Sequence, residues 1–256
     1  MRAVRYSFSV ATSRRSADSV TAAPFSALAS VRENDGTTDA STTVERAVAL
    51  LWELYDAPDG LSASELARRL ETQRTALYRL LRPFLRSQFI RRDERKRYFL
   101  GFGITALARA VAQPIEAITQ RPLQGLADAT GCAAMIIADT DGTLVTVASA
   151  TPREPGMYVA SPNGFVHQGN DVAIRALRAG QDASPIEEVE ALEDRERGFA
   201  SNERDGFVTT VAMPLRVPLI GAPSCLLIAS LSPLDLHSVA EPMRQAIQAI
   251  AHPVDR

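Results

Sequence analysis

Cysteine and histidine are scarce in this sequence, with two and three among 256 residues. Cys132 and Cys225 cannot build a disulfide scaffold or a four-thiolate metal site. They read instead as small buried side chains. His167, His237 and His252 lie far apart and offer none of the close pairs that hold zinc. The acidic run Glu187, Glu188, Glu190, Glu193, Asp194 and Glu196 comes with no histidine and reads as the solvated face of a helix. Neither a metal nor a cofactor is expected. Apolar runs are short: none approaches the roughly 18 uninterrupted residues of a membrane span. No membrane partner is expected, and the low cysteine content suits a reducing cytoplasm. Arg14-Arg15 is followed by Ser-Ala-Asp-Ser rather than by an apolar stretch, which argues against an export signal. The sequence has no Gly-x-Ser-x-Gly elbow, no P-loop and no Gly-x-Gly-x-x-Gly turn. Ser161, Ser224 and Ser230 therefore lack the surroundings of a catalytic nucleophile, and no enzymatic activity is expected. Lysine is almost missing too. Lys96 is the single lysine among 28 basic residues, which reflects nucleotide composition rather than chemistry.

What remains is ordinary globular composition, 46% hydrophobic and 23% charged, enough for one or two domains. The formal net charge of −2 conceals a division. Residues 43–100 hold twelve basic against eight acidic side chains, net +4, whereas residues 101–256 hold eleven against eighteen, net −7. A basic module joined to an acidic remainder suggests a polyanion partner for the basic part. Residues 1–41 are rich in Ser, Thr and Ala, show no periodicity and are expected to form a disordered tail. A start codon assigned too far upstream would produce a similar segment.

From Thr43 onward the apolar residues Val44, Ala47, Val48, Leu50, Leu51, Leu54 and Tyr55 recur at helical spacing. Thr42 or Thr43 caps this helix, and Asp56-Ala57-Pro58-Asp59-Gly60 breaks it. Ser62-Ala63-Ser64-Glu65 has the form of a capping box and predicts a second helix over Ala63–Leu70. A third is predicted from Arg74, with Ala76, Leu77, Leu80, Leu81 and Leu85 inward and a kink or early end at Pro83. Phe89–Arg92 and Arg97–Leu100 read as strands joined by Asp93-Glu94-Arg95-Lys96, a hairpin. Three helices and a hairpin within about 60 residues make a winged helix-turn-helix. Gly101–Ala112 reads as a linker helix ended by Pro114, followed by a separate helix over Ile115–Thr130. Two apolar runs, Ala133–Ala138 and Leu144–Ala148, flank Asp141-Gly142, the strongest hairpin signal in the chain. Helices over Asp171–Ala179, Ile186–Arg197 and Pro242–Ala251 and strands over Phe207–Leu215 and Ser224–Ser232 complete an α+β second domain.

A helix-turn-helix sets the first turn of its second helix against base edges in the major groove. Thr72, Gln73, Arg74, Thr75 and Tyr78 occupy that turn. Gln reads adenine and Arg reads guanine through paired hydrogen bonds. Ser62 and Arg79 flank the same surface, and Arg82 and Arg86 follow. Arg91, Arg92, Arg95, Lys96 and Arg97 crowd the hairpin, where they would meet phosphates.

Val44-Glu45-Arg46-Ala47-Val48-Ala49-Leu50-Leu51, Leu61-Ser62-Ala63-Ser64-Glu65-Leu66-Ala67, Thr75-Ala76-Leu77-Tyr78-Arg79-Leu80-Leu81 and Arg97-Tyr98-Phe99-Leu100-Gly101 resemble the DNA-binding domain of the IclR family of bacterial transcription regulators. Pro122-Leu123 through Thr130-Gly131, Arg197-Gly198-Phe199, Val211-Ala212-Met213-Pro214-Leu215 and Ser230-Leu231-Ser232 resemble parts of that family's effector domain. After the tail over 1–41, the resemblance implies a winged helix-turn-helix over 42–101, a linker helix over 102–120 and a GAF-like effector-binding and oligomerisation domain over 121–256. It further implies a double-stranded DNA operator, a small organic acid or aromatic effector, and a homodimer or a dimer of dimers that acts as a repressor or activator. His167 matches the histidine before the pocket helix. Asn170, Asp171, Asn202, Thr210, Ser230 and Ser232 match polar positions expected to line the effector site. A carboxylate effector would need Arg175 or Arg153 to offset Asp171. The alternatives are a winged helix that binds protein, and a regulator whose effector pocket is degenerate.

Overall fold

The computed structural model describes residues 42–154, 156, 158–167, 171–180, 194–204 and 208–252. The expected tail, Asn170 and most of the acidic helix lie outside the described residues. In chain order the elements are α1 (Thr42–Tyr55), α2 (Ala63–Arg69), α3 (Arg74–Arg86), β1 (Ile90–Arg92), β2 (Tyr98–Leu100), α4 (Phe102–Thr130), β3 (Ala133–Thr140) and β4 (Thr143–Ala150). After these come β5 (Val166–His167), α5 (Asp171–Ala179), β6 (Ala200–Arg204), β7 (Val208–Leu215), β8 (Ser224–Ser230) and α6 (Leu236–Ala251).

The first three helices close over one small core. Leu50 and Leu54 of α1, Leu66 of α2, Leu77 and Leu81 of α3, Ile90 of β1 and Tyr98 of β2 are all buried in it. Ala76, expected inward, is exposed; the face of α3 toward α2 is completed by Leu77 and Leu81 one turn apart. Pro83 does not end α3, which runs on to Arg86. The hairpin β1–β2 is antiparallel and pairs Ile90 with Leu100. A bridge between Leu61 and Tyr98 fastens it to the segment before α2.

The two helices expected on either side of Pro114 are one helix, α4, of 29 residues, with Pro114 and Pro122 inside it. A proline within a helix removes one N–H and crowds the carbonyl four residues earlier. Ala110 and Pro114 are both exposed, so the carbonyl released at that point faces solvent. All the buried residues of α4 lie from Ile115 onward, between Ile115 and Ala127. Gly131, at φ +66, ends the helix in the left-handed conformation that glycine favours.

The second domain is a six-stranded antiparallel sheet in the order β5-β4-β3-β8-β7-β6. Asp141 and Gly142, both at positive φ, make the tight turn of the β3–β4 hairpin. Strand alternation divides the core in two. One face sends Ala134, Ile136, Val211, Met213, Leu226 and Ile228 against α4 and α6. The other sends Met135, Ile137, Ala212, Leu227 and Ala229 against Val172, Ala173, Ala176 and Leu177 of α5. This second face mixes the larger Met135, Ile137, Leu144 and Leu227 with Ala133, Ala200, Ala212, Cys225 and Ala229. The register of β3 against β4 slips between Ile136 and Ile137, leaving Val147 as the extra residue of a bulge. Without it Leu144 and Ala148 would share a face. With it Leu144 faces α5 and Ala148 faces α4 and α6. Strands β5 and β6 were not anticipated from the sequence. The expected helix over Asp171–Ala179 is found with those bounds, while α6 starts earlier than expected and carries Pro242 inside it.

Candidate nucleic-acid interface and effector face

The start of α2 is fixed by its cap. Ser62 Oγ accepts a hydrogen bond from the Glu65 amide at 3.2 Å, and the Ser62 amide donates to Glu65 Oε2 at 2.7 Å. The bond from the Ser62 amide lowers the pKa of the Glu65 carboxyl from its ordinary value, and the Ser62 hydroxyl adds to the shift. Ser62, expected at the DNA, thus spends its hydroxyl on α2. The chain then turns through Glu71, at φ +46, and Thr72, whose amide donates to the Ala67 carbonyl at 2.9 Å. Helix α3 opens after Gln73, whose side chain takes no part in capping. Gln73, Arg74, Thr75, Tyr78, Arg79, Arg82 and Arg86 are exposed, and Thr72 is half-buried. The first turn of α3 therefore presents an amide, a guanidinium and a hydroxyl beside helical N–H groups that have no partner within the helix.

The basic residues of the hairpin divide into two groups. The Arg91 guanidinium lies 4.4 Å from the centre of the Phe99 ring and that of Arg92 5.3 Å from the centre of Tyr98. Arg97 turns back toward the helices. Its Nε donates to the Asp59 carbonyl at 2.9 Å and its Nη2 to the Gly60 carbonyl at 2.6 Å. Arg95 and Lys96, at the tip, are exposed, and among the described residues their side chains form no hydrogen bond or ion pair. Lys96 sits at φ +62.

In the second domain the polar residues expected to act together are separated by strand alternation. Asn202 pairs with Thr210 and Thr210 with Ala229, so both lie on the face covered by α5. Ser230 follows Leu226 and Ile228 to the opposite face. It is buried there, and its Oγ accepts from the Ser232 amide at 3.0 Å. Ser232 lies beyond the strand and is exposed. Asp171 opens α5. His167 stands opposite Leu144 on β5, and its Nε2 lies 2.8 Å from the buried Thr146 Oγ1. The Phe165 ring meets the imidazole edge-on, 5.0 Å between centres. Burial lowers the His167 pKa, which keeps the ring neutral and able to donate or accept. Tyr158, half-buried, packs on the same face. Sequence reasoning did not place Thr146 or Tyr158 here, because the bulge that sets Thr146 on this face has no sequence signal.

Neither arginine considered for a carboxylate is spare. Arg175 is bound to Asp194 through Nε at 2.6 Å and Nη2 at 3.1 Å, and Arg153 lies 3.0 Å from Asp128. Asp194, expected on a solvated acidic face, is fully buried and also receives Arg197 at 2.8 Å. Cys132 and Cys225 are buried as expected, and burial pushes the Cys225 thiol up to about 12. Among the described residues no helix is long and apolar enough to cross a membrane.

Residues 43–94 match the IclR helix-turn-helix domain. No curated protein matches the chain in sequence. Solved structures do match the fold. An IclR-family transcriptional regulator from Brucella abortus is 18% identical, with a TM-score of 0.67 over 86% of this chain and 94% of that one. A regulator from Alicyclobacillus acidocaldarius is 22% identical, with a TM-score of 0.65 over 83% and 98%. An IclR homologue from Microbacterium hydrocarbonoxydans, solved with 4-hydroxybenzoate, is 13% identical, with a TM-score of 0.65 over 82% and 97%. The chain carries an IclR helix-turn-helix domain within the fold of the IclR-family transcriptional regulators.

Proposed function

We propose that this protein is a transcriptional regulator that binds double-stranded operator DNA as a homodimer, or as a dimer of dimers, under the control of a small organic effector. The observation that carries the reading is the first turn of α3. Gln73, Arg74 and Thr75 are exposed and uncommitted to capping there, on residues that match a DNA-binding domain. Gln73 and Arg74 read bases, Thr72, Thr75, Tyr78 and Arg79 support them, and Arg95 and Lys96 meet the phosphate backbone. A gel-shift titration against the DNA flanking the coding region, with excess random competitor, tests this. Arg74→Ala and Gln73→Ala are expected to abolish the preference for that DNA. Equal binding of flanking and random DNA by the unaltered protein would refute the reading.

For the effector, His167 and Thr146 supply uncharged donors and acceptors on the α5 face, beside the Phe165 ring, whereas Asn202 and Thr210, on β6 and β7 across the sheet, lie too far off to share a small ligand with them. Asn170 and Asp171 adjoin His167 in the chain. With Arg175 bound to Asp194, these residues favour a small aromatic hydroxy compound over a ligand held by a carboxylate–arginine pair. Because the Microbacterium homologue was solved with 4-hydroxybenzoate, that compound is the first to titrate, with phenol beside it to show whether the carboxylate contributes. Dimerisation is supported by an apolar surface on α1 and the first half of α4, where Phe102 is 83% and Val111 69% exposed, with Val44 and Leu107 alongside. A cytoplasmic location and the lack of enzymatic activity belong to the same reading.

A further inference from the structure

We infer that Arg97 is the positioning residue of the wing, the β1–β2 hairpin, and that the hold on phosphate at the wing's tip belongs to Arg95 and Lys96 and not to Arg97. The inference rests on the DNA-binding function proposed above. Arg97 carries one of five positive charges in the hairpin, and from sequence it is indistinguishable from its neighbours. In the folded chain its guanidinium is turned away from the tip. Nε and Nη2 donate to two successive carbonyls, Asp59 and Gly60, at 2.9 and 2.6 Å. Nη2 also lies 3.7 Å from Glu65 Oε2, the carboxylate that completes the cap of α2. The Arg97 amide donates to Asp93 Oδ1 at 2.7 Å, and the Asp93 amide donates to the Arg97 carbonyl at 2.9 Å, closing the hairpin tip. Next to it the Leu61 and Tyr98 amides exchange hydrogen bonds with each other's carbonyls at 3.0 and 2.7 Å.

Three things that must be held in register for DNA binding thus meet at one side chain: the wing, the turn before α2, and the cap of α2. The turn leaves little slack. Gly60 sits at φ +69, and a Cβ there would come within 2.6 Å of the Phe99 ring and 2.8 Å of the Tyr98 carbonyl. Two carbonyls in this arrangement suit the planar fork of a guanidinium. A lysine ammonium, with one nitrogen, keeps the charge but cannot span both from the positions of Nε and Nη2.

That difference separates positioning from phosphate contact. The experiment uses the full chain, a random-sequence duplex and a series of salt concentrations, with Arg97→Lys, Arg97→Ala and Arg95→Ala/Lys96→Ala alone and combined. If Arg97 positions the wing, Arg97→Lys weakens binding as much as Arg97→Ala, to within about twofold. In the Arg95→Ala/Lys96→Ala background either change then weakens binding less than it does alone, what remains passing through the turn before α2 and its cap, and neither alters the salt slope. Arg95→Ala and Lys96→Ala each lower the slope of log affinity against log salt by about 0.9. The second readout needs no DNA. Hydrogen exchange at the Leu61 and Tyr98 amides quickens about tenfold in Arg97→Lys. The inference is overturned if Arg97→Lys binds as the unaltered protein does. It is equally overturned if Arg97→Ala costs a further 0.9 of slope in the Arg95→Ala/Lys96→Ala background, or if the two amides stay as protected as before. Failure of the unaltered protein to bind any duplex at low salt would refute the proposed function instead, and the amide exchange would still decide the role of Arg97.

Discussion

Asp194→Ala offers the most demanding test of how the second domain is held together. Asp194 is fully buried and receives three guanidinium contacts, two from Arg175 at 2.6 and 3.1 Å and one from Arg197 at 2.8 Å. Removing one partner of a buried ion pair costs about 3–5 kcal/mol, because a desolvated charge is left behind. The two arginines do not suffer equally. The Arg197 side chain is 46% exposed and can turn to water, whereas that of Arg175 is 20% exposed. Arg175 does keep the Ser201 carbonyl, to which Nη2 donates at 3.1 Å. With Arg197 able to turn to water and Arg175 keeping the Ser201 carbonyl, the cost lies near the lower end, about 3 kcal/mol, or roughly 10 °C in the midpoint of the second domain. Asp194→Asn is expected to fall between, since its carbonyl can serve one arginine while its amide confronts the other. The probe matters. Trp52 is the only tryptophan and lies on α1, so its fluorescence reports the first domain and is the internal control. Circular dichroism of the sheet is the readout. A dichroism midpoint that moves by less than about 2 °C in Asp194→Ala would refute the reasoning.

Four further outcomes are expected. Gly60→Ala, which adds a Cβ against Phe99 at a left-handed φ, should destabilise the first domain by about 2 kcal/mol, read by Trp52 fluorescence in urea. Ser62→Ala removes the side-chain half of the α2 cap and should cost about 1 kcal/mol by the same probe. Burial lowers the His167 pKa from its ordinary 6.5. Below that value the unfolded chain takes up the proton first, so stability is full above pH 6.5 and declines as pH falls toward the folded-state pKa; melting curves of His167→Gln should show a flatter loss between pH 7.5 and 5.5. Val111→Glu puts a charge on the exposed apolar surface of α4 and should halve the mass found by light scattering.

Features that rest on local pattern were legible in the sequence. The Ser62–Glu65 capping box, the Asp141-Gly142 turn and the bounds of α5 are each set by residues a few positions apart. Pro114 and Pro83 misled because a proline's local cost can be outweighed by contacts elsewhere. From Ile115 onward α4 is anchored through Ile115, Leu123 and Leu126, and the helix continues through the break. The short strands β5 and β6 owe their existence to partners already in place on β4 and β7. The polar residues of the effector face could be named but not assigned to a side. Ser230 and Thr210 differ only in strand parity, and the bulge at Val147 resets that parity for β4. Asp194 was hidden for the opposite reason: it sits in a run of acids that looks uniformly solvated, and its burial comes from Arg175, 19 residues away.

The uninterrupted course of α4 has a mechanical consequence. From Ile115 onward it is clamped beneath the sheet, while residues 102–114 project from that part with no buried side chain. At 1.5 Å per residue those 13 residues form an arm about 20 Å long, tied at its tip to the first domain, where the Gly103 amide donates to the Gln88 carbonyl at 2.8 Å. A tilt of about 10° at the clamp would sweep the tip of such an arm through about 3.4 Å, the rise of a single base pair along one DNA strand. If the protein binds DNA as the proposed dimer, small adjustments under α4 match the rise of the duplex in scale, and the stiffness of this lever would set how finely its two reading helices move in or out of step.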